Sequence, residues 1–215
     1  MRNDAFRSLI VIGGMLLPGF ASAAVVSVDI SGIAYTGPGV LEATSHAWLS
    51  KTTNGSTFTV DTQTVTLGLT NWSSDGSANA TIDLFDQYKH NGGTNTATFS
   101  LTGLDLTKTY DIVIYCAQNF LGGRGGKFDL VTGSYIGPDP QEATGDQQSS
   151  FLIGVNYVRF DGIAPAAGGA ISFQATNSTD GIAIMNGFEI ASVPEPGAAL
   201  LGGFGLLSLL RRRSR

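Results

Sequence analysis

The chain has 215 residues, with 12 Lys and Arg against 17 Asp and Glu, which gives a formal net charge of −5. Without the two terminal segments described below, the remaining body carries six basic and 15 acidic residues, a net charge of −9. This acidic net charge argues against nucleic acid or anionic lipid as a partner, because proteins bind both through basic patches.

A secretory signal peptide is predicted at the amino terminus. Arg2 and Arg7 give this segment a positive start, and an uncharged, mainly apolar run extends from Leu9 to Phe20. Ala21 and Ala23 stand at the two small positions of a cleavage site. We therefore expect export through the Sec translocon and removal of residues 1–23. A retained membrane anchor is the alternative, and the short apolar run fits it less well.

The body, residues 24–191, predicts an all-β fold: a single antiparallel β-sandwich of the jelly-roll kind. Its length of about 170 residues is enough for one domain with a sizeable core. Short runs of Thr, Val, Ile and Phe alternate with polar residues and are bounded by Gly, Asn, Asp and Pro. The predicted strands, in chain order, are Val25–Ile30, Thr57–Val60, Gln63–Leu69, Ala80–Phe85, Asn95–Leu101, Thr109–Cys116, Lys127–Val131, Phe151–Gly154, Asn156–Phe160, Ala170–Gln174 and Gly187–Ile190.

The alternation also assigns faces. Ala97, Phe99 and Leu101 fall on one side of their strand, with Thr and Ser on the other, so one face is expected to be buried and one wet. The run from Tyr110 to Cys116 is apolar on both sides except for one Asp, which predicts a central strand. A short helix is an option over Leu41–Leu49, and Leu84–Lys89 is ambiguous.

Four short motifs of the body form a set. The chain reads GLDLTKTYDI from Gly103, YVRFDGI from Tyr157, GAISF from Gly169 and NGFEI from Asn186. Together these motifs, which cover about half of the body, resemble galactose-binding-like and malectin-like jelly-roll domains. The resemblance implies the sandwich fold and glycan sites on the loops at its ends or on a concave sheet face. No ligand-contact motif of that family maps onto this chain residue by residue.

Three polar and aromatic loops are candidates for sugar binding. Proteins bind sugars by placing an aromatic ring on the apolar sugar face and by hydrogen-bonding the hydroxyls with amide, carboxylate or Arg groups. The candidate ligand-binding residues are Trp72, Asp75, Tyr88, His90, Asn119 and Arg124. Two alternatives stay open: Trp72 also fits an end plug of the core, and the Gly-rich stretch around Arg124 also fits a mobile hairpin loop.

No catalytic set is predicted. Cys116, the only cysteine, follows an apolar strand and is expected to be a core thiol rather than a nucleophile. His46 and His90 have no Cys or carboxylate at zinc spacing, so no transition-metal site is expected, and no cofactor is predicted. Calcium bound in a turn stays open, although the EF-hand spacing is absent. Asp83 and Asp86 are among several acids that could pair for general acid/base glycoside chemistry, but sequence spacing does not determine the separation of two carboxylates, and scattered surface acids are the favoured interpretation.

The carboxyl-terminal segment, residues 192–215, has three parts in a fixed order. The residues Val193, Pro194, Glu195 and Pro196 come first, an uncharged run from Gly197 to Leu210 follows, and a basic cluster of Arg211, Arg212, Arg213 and Arg215 closes the chain. As a helix the 14-residue run would span only about 21 Å of a bilayer core of about 30 Å. It is therefore a marginal transmembrane helix. Since Arg is retained on the cytoplasmic side, the body is expected on the other side of the membrane.

This order of parts resembles the PEP-CTERM sorting signal of Gram-negative bacteria. The resemblance covers about the last two dozen residues and implies recognition by an exosortase, a membrane-embedded cysteine transpeptidase that cuts near the Pro-Glu-Pro motif. It implies an exported protein, held transiently in the inner membrane with a periplasmic body and then delivered to the cell envelope or the exterior. An ordinary C-terminal membrane anchor is the alternative.

Three functions remain open for the body. The favoured one is a non-catalytic envelope or matrix protein whose sandwich binds exopolysaccharide, because this sorting tail accompanies exopolysaccharide production in the family. The second is a small secreted hydrolase, which a pair of carboxylates beside Trp72 in a cleft would favour. The third is a purely structural or ice-surface protein, which would need a flat array of threonines from Thr57–Thr66 and Thr94–Thr102.

Overall fold

A computed structural model describes residues 24–30, 32, 34–75, 82–92, 96–118, 124–146, 149–177 and 182–193. The predicted signal peptide, Asn119 and the tail from Pro194 onward lie outside the described residues. In the described ranges, no helix is long and apolar enough to cross a membrane.

The described strands form two large sheets and one small sheet. The first sheet has the order β11 (Tyr157–Ile163), β8 (Thr109–Tyr115), β14 (Gly187–Val193), β1 (Val25–Asp29), β2 (Leu49–Ser50), with only β1 and β2 parallel. The second, all antiparallel, has the order β10 (Gln141–Ala143), β9 (Gly126–Thr132), β12 (Ile171–Thr176), β7 (Ala97–Thr102), β4 (Gln63–Thr70), β3 (Thr57–Val60). The small sheet has the order β13 (Ile184–Met185), β6 (Tyr88–His90), β5 (Ser73–Asp75).

The two large sheets pack face to face around one apolar core. Phe99 of the second sheet stacks on Phe173 with ring centroids 5.8 Å apart, and it meets Phe188 of the first sheet at 4.8 Å. Ala97, Phe99 and Leu101 are all fully buried, as the alternation predicts. β8 lies between β11 and β14, so its central position is confirmed. The predicted all-β antiparallel sandwich is confirmed with it.

The outer face of the first sheet is covered rather than wet. Residues 34–48, a 3-10 helix at Asp83–Phe85 and residues 149–156 lie over this face, and we refer to these three segments as the cover. Side chains of the cover pack on Val113 and Tyr115 of β8 to form a second apolar cluster. As a result six of the seven residues of β14 are buried, on both faces of the sheet.

The predicted strand Ala80–Phe85 is wrong in its described part, residues 82–85. Leu84 and Phe85 are consecutive and both fully buried, which a strand disfavours because successive side chains point to opposite faces. The 3-10 turn places both side chains in the cover. The ambiguous stretch that follows divides into the end of this helix and the start of β6 at Tyr88.

The predicted strand Phe151–Gly154 is also wrong. The Val155 N–H donates to the carbonyl of Leu152 (3.1 Å), and the Asn156 side-chain oxygen accepts from the Leu152 N–H (2.8 Å). Gly154 supplies the positive φ of 73° that such a turn uses. The segment is therefore a tight turn closed by its own side chain, with one isolated bridge to β11.

The helix option over Leu41–Leu49 is not realised. The N–H groups of Leu41 and Glu42 donate to the side chain of Glu189, and the Thr44 N–H donates to the side chain of Glu42. The described backbone over residues 41–48 is irregular, and these side-chain acceptors satisfy its N–H groups in place of helical carbonyls.

The sequence missed five short strands. Each has only two or three residues, which is too few for an alternation to be visible: β2, β5, β6, β10 and β13. At the other extreme β14 is longer than predicted. Ser192 and Val193, which the sequence assigns to the tail, pair with Tyr110 and Thr109 of β8.

Candidate functional site

Four of the six candidate ligand-binding residues lie on or beside the small sheet. Trp72 directly precedes β5, Asp75 ends it, and Tyr88 and His90 begin and end β6. Across this antiparallel pair Asp75 is opposite Tyr88, and Ser73 is opposite His90. The structure thus brings two loops that are distant in sequence to one end of the sandwich.

The segment that carries Arg124 lies against the same sheet. The Ile184 N–H of β13 donates to the carbonyl of Gly125 at 2.9 Å, and Arg124 itself is half-buried. The Gln118 amide, at the start of the loop that contains Asn119, donates to the Tyr88 hydroxyl at 2.6 Å. The described ends of the third candidate loop, Gln118 and Gly125, therefore contact the small sheet.

The aromatic side chains at this end are largely committed to the core. Trp72 is half-buried against the core cluster, and its indole N–H donates to the carbonyl of Thr98 at 2.9 Å. Tyr88 is 8% exposed, and its hydroxyl already receives the Gln118 amide. Burial also lowers the pKa of the neighbouring Lys89. These contacts favour the end-plug interpretation of Trp72, and the ligand-binding role of these residues stays a prediction.

A cleft of about 440 Å³ opens in the cover. Its lining residues are Tyr35, Pro38, Ile82, Asp83, Ser149, Ser150 and Phe151. This volume lies within the range of about 300–1,000 Å³ that small-molecule sites occupy. We refer to it as the outer cleft. Its described lining combines two aromatic rings, two serine hydroxyls and one charged group, the carboxylate of Asp83.

The ring of Phe151 forms one wall of the outer cleft. It is half-buried and rests edge-on against Phe85, with centroids 6.0 Å apart, and at a tilt against Tyr115 at 5.0 Å. These two contacts hold the ring in place from beneath. A ring fixed in this way can receive the apolar face of a ligand without losing further rotamer freedom.

Tyr35 forms another wall of the outer cleft. Its ring packs edge-on against Trp48 at 5.2 Å, and its hydroxyl donates to the carbonyl of Pro38 at 3.2 Å. Burial, and after it the negative charges of Asp83 and Glu189, raise the pKa of the Tyr35 hydroxyl. Tyr35 therefore stays protonated and supplies a rigid wall rather than a free hydrogen-bonding group.

Beneath the outer cleft, Glu189 ties the cover to β14. This carboxylate is fully buried and accepts five hydrogen bonds. The donors are the N–H groups of Val40 (2.8 Å), Leu41 (2.8 Å) and Glu42 (3.2 Å) and the hydroxyls of Tyr115 (2.7 Å) and Ser27 (3.1 Å). The segment of residues 34–48, which carries one wall of the outer cleft, is therefore fixed to the sheet by charge-assisted hydrogen bonds.

A Ser, a His and a Glu lie within hydrogen-bond distance of one another here. The Ser27 hydroxyl is 2.7 Å from His46 Nε2 and 3.1 Å from Glu189 Oε1. In a nucleophilic triad the His stands between Ser and carboxylate, whereas here Ser27 stands in the middle. Ser27 is only 4% exposed, so a substrate carbonyl cannot reach its hydroxyl. The arrangement is that of a structural network.

The two threonine-rich runs meet on the outer face of the second sheet. Thr57, Thr66 and Thr102 form one row across β3, β4 and β7. The next row places Gly68 opposite Ser100, which interrupts the threonines. The described face is thus rich in hydroxyls but is only partly a regular array.

Two further groups bear on chemistry. Cys116 is fully buried in the core, and burial raises the pKa of its thiol, which matches the expected core thiol. Among the described residues, no group of three His, Cys, Asp or Glu side chains could hold a metal ion.

The sequence predicted none of the outer cleft as a binding site. It singled out Asp83 only as one acid among several, and it assigned Phe151 to a strand. The cleft joins segments near residues 35, 83 and 150, and its lining depends on how those segments fold over the sheet. The available signals were a Gly- and Pro-rich stretch after Tyr35 and an aromatic residue after two serines.

No family model matches this chain, and no curated protein matches it. Among solved structures, the ANXUR1 extracellular domain from Arabidopsis thaliana matches with a TM-score of 0.44 and 18% identity, over 80% of this chain and 48% of that one. The plant receptor-like kinase ANX1 gives a TM-score of 0.45 and 16% identity, over 80% and 49%. The family 32 CBM of C. perfringens NanJ, solved with galactose, gives 0.39 and 17% identity, over 59% and 93%.

This chain therefore spans about half of the length of the two plant receptor structures. The three matches are similarities to solved structures at 16–18% identity. They assign no ligand to this chain, and the sorting signal stays a prediction.

Proposed function

We propose that this chain is an exported envelope or matrix protein, processed by an exosortase at its carboxyl-terminal tail, whose β-sandwich binds carbohydrate without altering it chemically. The order of the signal peptide, acidic body, Pro-Glu-Pro motif, apolar run and Arg cluster in the sequence supports the export and sorting. The outer cleft supports the carbohydrate binding.

The observation that carries the binding proposal is the chemistry of the outer cleft. A sugar offers one apolar face and a rim of hydroxyls, and it is bound by a fixed ring beside hydrogen-bonding side chains. Phe151 provides the ring, and Asp83, Ser149 and Ser150 provide the polar groups. Exopolysaccharide is the ligand that agrees with the proposed destination.

The described lining favours binding over hydrolysis. Glycoside hydrolysis by the usual route needs two carboxyl groups flanking the bond. Among the described lining residues only Asp83 bears a carboxylate, and the buried network of Ser27, His46 and Glu189 has the wrong order for a nucleophile. We therefore assign the body a non-catalytic role.

The test is polysaccharide binding by the full-length chain in detergent, measured by affinity electrophoresis and calorimetry. Replacing Phe151 by Ala is expected to weaken binding about 5- to 10-fold, the loss expected for one aromatic contact. Leu152→Ala is the matched control, because this neighbouring side chain is 44% exposed and does not line the outer cleft. Thermal unfolding of both variants verifies that they are folded.

Two results would reject the assignment to the outer cleft. One is unchanged affinity in Phe151→Ala with wild-type affinity in Leu152→Ala. The other is a loss of binding in Trp72→Ala that exceeds the loss in Phe151→Ala, since that would place the ligand at the small sheet.

A structural or ice-surface role is the second candidate, favoured by the row of Thr57, Thr66 and Thr102. Neighbouring strands stand about 4.8 Å apart, so these hydroxyls are evenly spaced across the sheet. Thr66→Tyr would disturb the row on an exposed face. If the second candidate holds, the native chain slows ice recrystallisation and the variant does not.

A further inference from the structure

The outer cleft carries charge of a single sign. Asp83 is exposed and is the only charged group among the described lining residues. Glu189 lies beneath the cleft and has no Lys or Arg among its hydrogen-bond donors. The body around it has a net charge of −9. A cleft lined in this way concentrates a negative potential, which attracts cations and repels anions.

The same field acts on Tyr35. Besides burial, the negative charges of both Asp83 and Glu189 raise the pKa of the Tyr35 hydroxyl. The two carboxylates thus act on one wall of the cleft from two sides, one from the solvent and one from the sheet.

We propose that the outer cleft binds a polysaccharide with free amino groups, that is, a partly or fully deacetylated amino-sugar polymer. This inference rests on the proposed carbohydrate binding and names its ligand class. The sugar ammonium donates a charge-assisted hydrogen bond to the Asp83 carboxylate. The pyranose ring rests on Phe151, and the ammonium also gains from the aromatic walls through a cation–π contact. The hydroxyls of Ser149 and Ser150 meet those of the sugar.

Two other polysaccharide classes fit this cleft less well. A uronic acid polymer would bring a carboxylate against Asp83, and no basic side chain among the described lining residues offsets that repulsion. An N-acetylated polymer keeps the ring contact and loses the ion pair. The order of affinity that follows is amino sugar, then N-acetylated sugar, then uronic acid.

The experiment compares three tetrasaccharides on the full-length chain in detergent at low salt. The probes are the tetramers of glucosamine, of N-acetylglucosamine and of galacturonic acid, titrated by calorimetry. The glucosamine tetramer is expected to bind about tenfold more tightly than the N-acetylated one, the factor of one hydrogen bond to a charged group. This preference is expected to shrink as salt is added, because the carboxylate is exposed.

Asp83→Asn is the decisive variant, and Asp129→Asn is its matched control. Both remove one exposed carboxylate and change the net charge equally, but Asp129 lies on β9 of the second sheet, away from the outer cleft. Asp83→Asn should bring the affinity ratio of the glucosamine and N-acetylated tetramers to within about twofold. Asp129→Asn should leave the ratio unchanged.

The outcomes separate this inference from the proposed function. If the glucosamine and N-acetylglucosamine tetramers bind with equal affinity, carbohydrate binding stands and the selectivity for amino groups is overturned. The same holds if Asp129→Asn lowers their affinity ratio as much as Asp83→Asn does. Tighter binding of the galacturonate tetramer also overturns it. If no saccharide binds, or if Phe151→Ala leaves every affinity unchanged, the proposed function at the outer cleft fails.

Discussion

The Glu189 carboxylate joins β14 to residues 40–42 of the cover. Replacing it by Gln keeps the shape but turns one of its two acceptor oxygens into a donor that faces N–H and O–H groups. We expect Glu189→Gln to lower the free energy of unfolding by about 2–3 kcal/mol, because buried donors lose their partner. Urea denaturation measures this loss as a lower midpoint concentration, provided that the dependence of the unfolding free energy on urea concentration is unchanged.

Glu142→Gln is the control at this scale. Glu142 lies on β10 and is exposed, so its replacement should change the free energy of unfolding by less than about 0.5 kcal/mol. Equal stability of Glu189→Gln and Glu142→Gln would contradict the role assigned to the buried carboxylate.

At the scale of the element, each polar or small residue of the NGFEI motif has a structural role at β14. Asn186 accepts the N–H of Ala117 (2.9 Å) and donates to the carbonyl of Gln87 (2.8 Å). A Cβ at Gly187 would lie 2.6 Å from the carbonyl oxygen of Val28, so only glycine fits there without a shift. Asn186 and Glu189 thus hydrogen-bond segments that neighbour β14, and Gly187 allows the close approach of β1.

The alternation predicted this strand but not the burial of its outer side. Phe188 and Ile190 face the core as a period of two predicts, whereas a Glu on the opposite side is usually solvated. What buries Glu189 is the cover, a set of segments without strand or long-helix patterns. Period-based prediction recognises strands and inward faces, and it is insensitive to which segments fold back over a sheet.

Trp72 links β5 to β7 and provides a test at the same scale. Trp72→Phe keeps an aromatic ring and removes the N–H that donates to the carbonyl of Thr98. The free energy of unfolding should fall by about 1 kcal/mol, a loss of about 2–4 °C in the unfolding temperature. If the outer cleft is the binding site, saccharide affinity stays at the wild-type level. An affinity loss greater than about threefold would instead support the small sheet as the site.

Across the whole molecule, the sandwich was predictable and the candidate site was not. The long strands are visible in the local sequence, either by alternation, as in Ala97–Thr102, or by a continuous apolar run, as in β8. The outer cleft is made by Tyr35, Asp83 and Phe151, which come from three segments of the cover. Their proximity depends on the tertiary contacts of Glu189 and Tyr115, and these contacts produce no periodic pattern of apolar residues in the local sequence.

The registers of the first sheet place Val25 and Val193, the described strand residues nearest to the two predicted processing sites, at one end of the sheet. Val25, at the start of β1, is opposite Ala191, and Val193, the last residue of β14, is opposite Thr109. Tyr115 and Gly187 pair at the other end of the same strands, and Tyr115 packs on Phe151 of the outer cleft. Six residues of strand separate the two ends, about 20 Å. The outer cleft therefore lies away from the end at which the chain continues into the sorting motif.

This separation makes the sorting proposal testable apart from ligand binding. Replacing Pro194 and Pro196 by Ala, or removing Arg211 to Arg215, should leave the chain unprocessed or misplaced, because the first change alters the proposed exosortase recognition motif and the second removes the charge proposed to stay in the cytoplasm. Immunoblots of membrane and extracellular fractions measure this, and normal processing of both variants would contradict the exosortase assignment. The unprocessed forms should still bind saccharide with wild-type affinity, because the outer cleft is at the opposite end of β14. A loss of affinity in them would mean that the tail and the cleft are coupled after all.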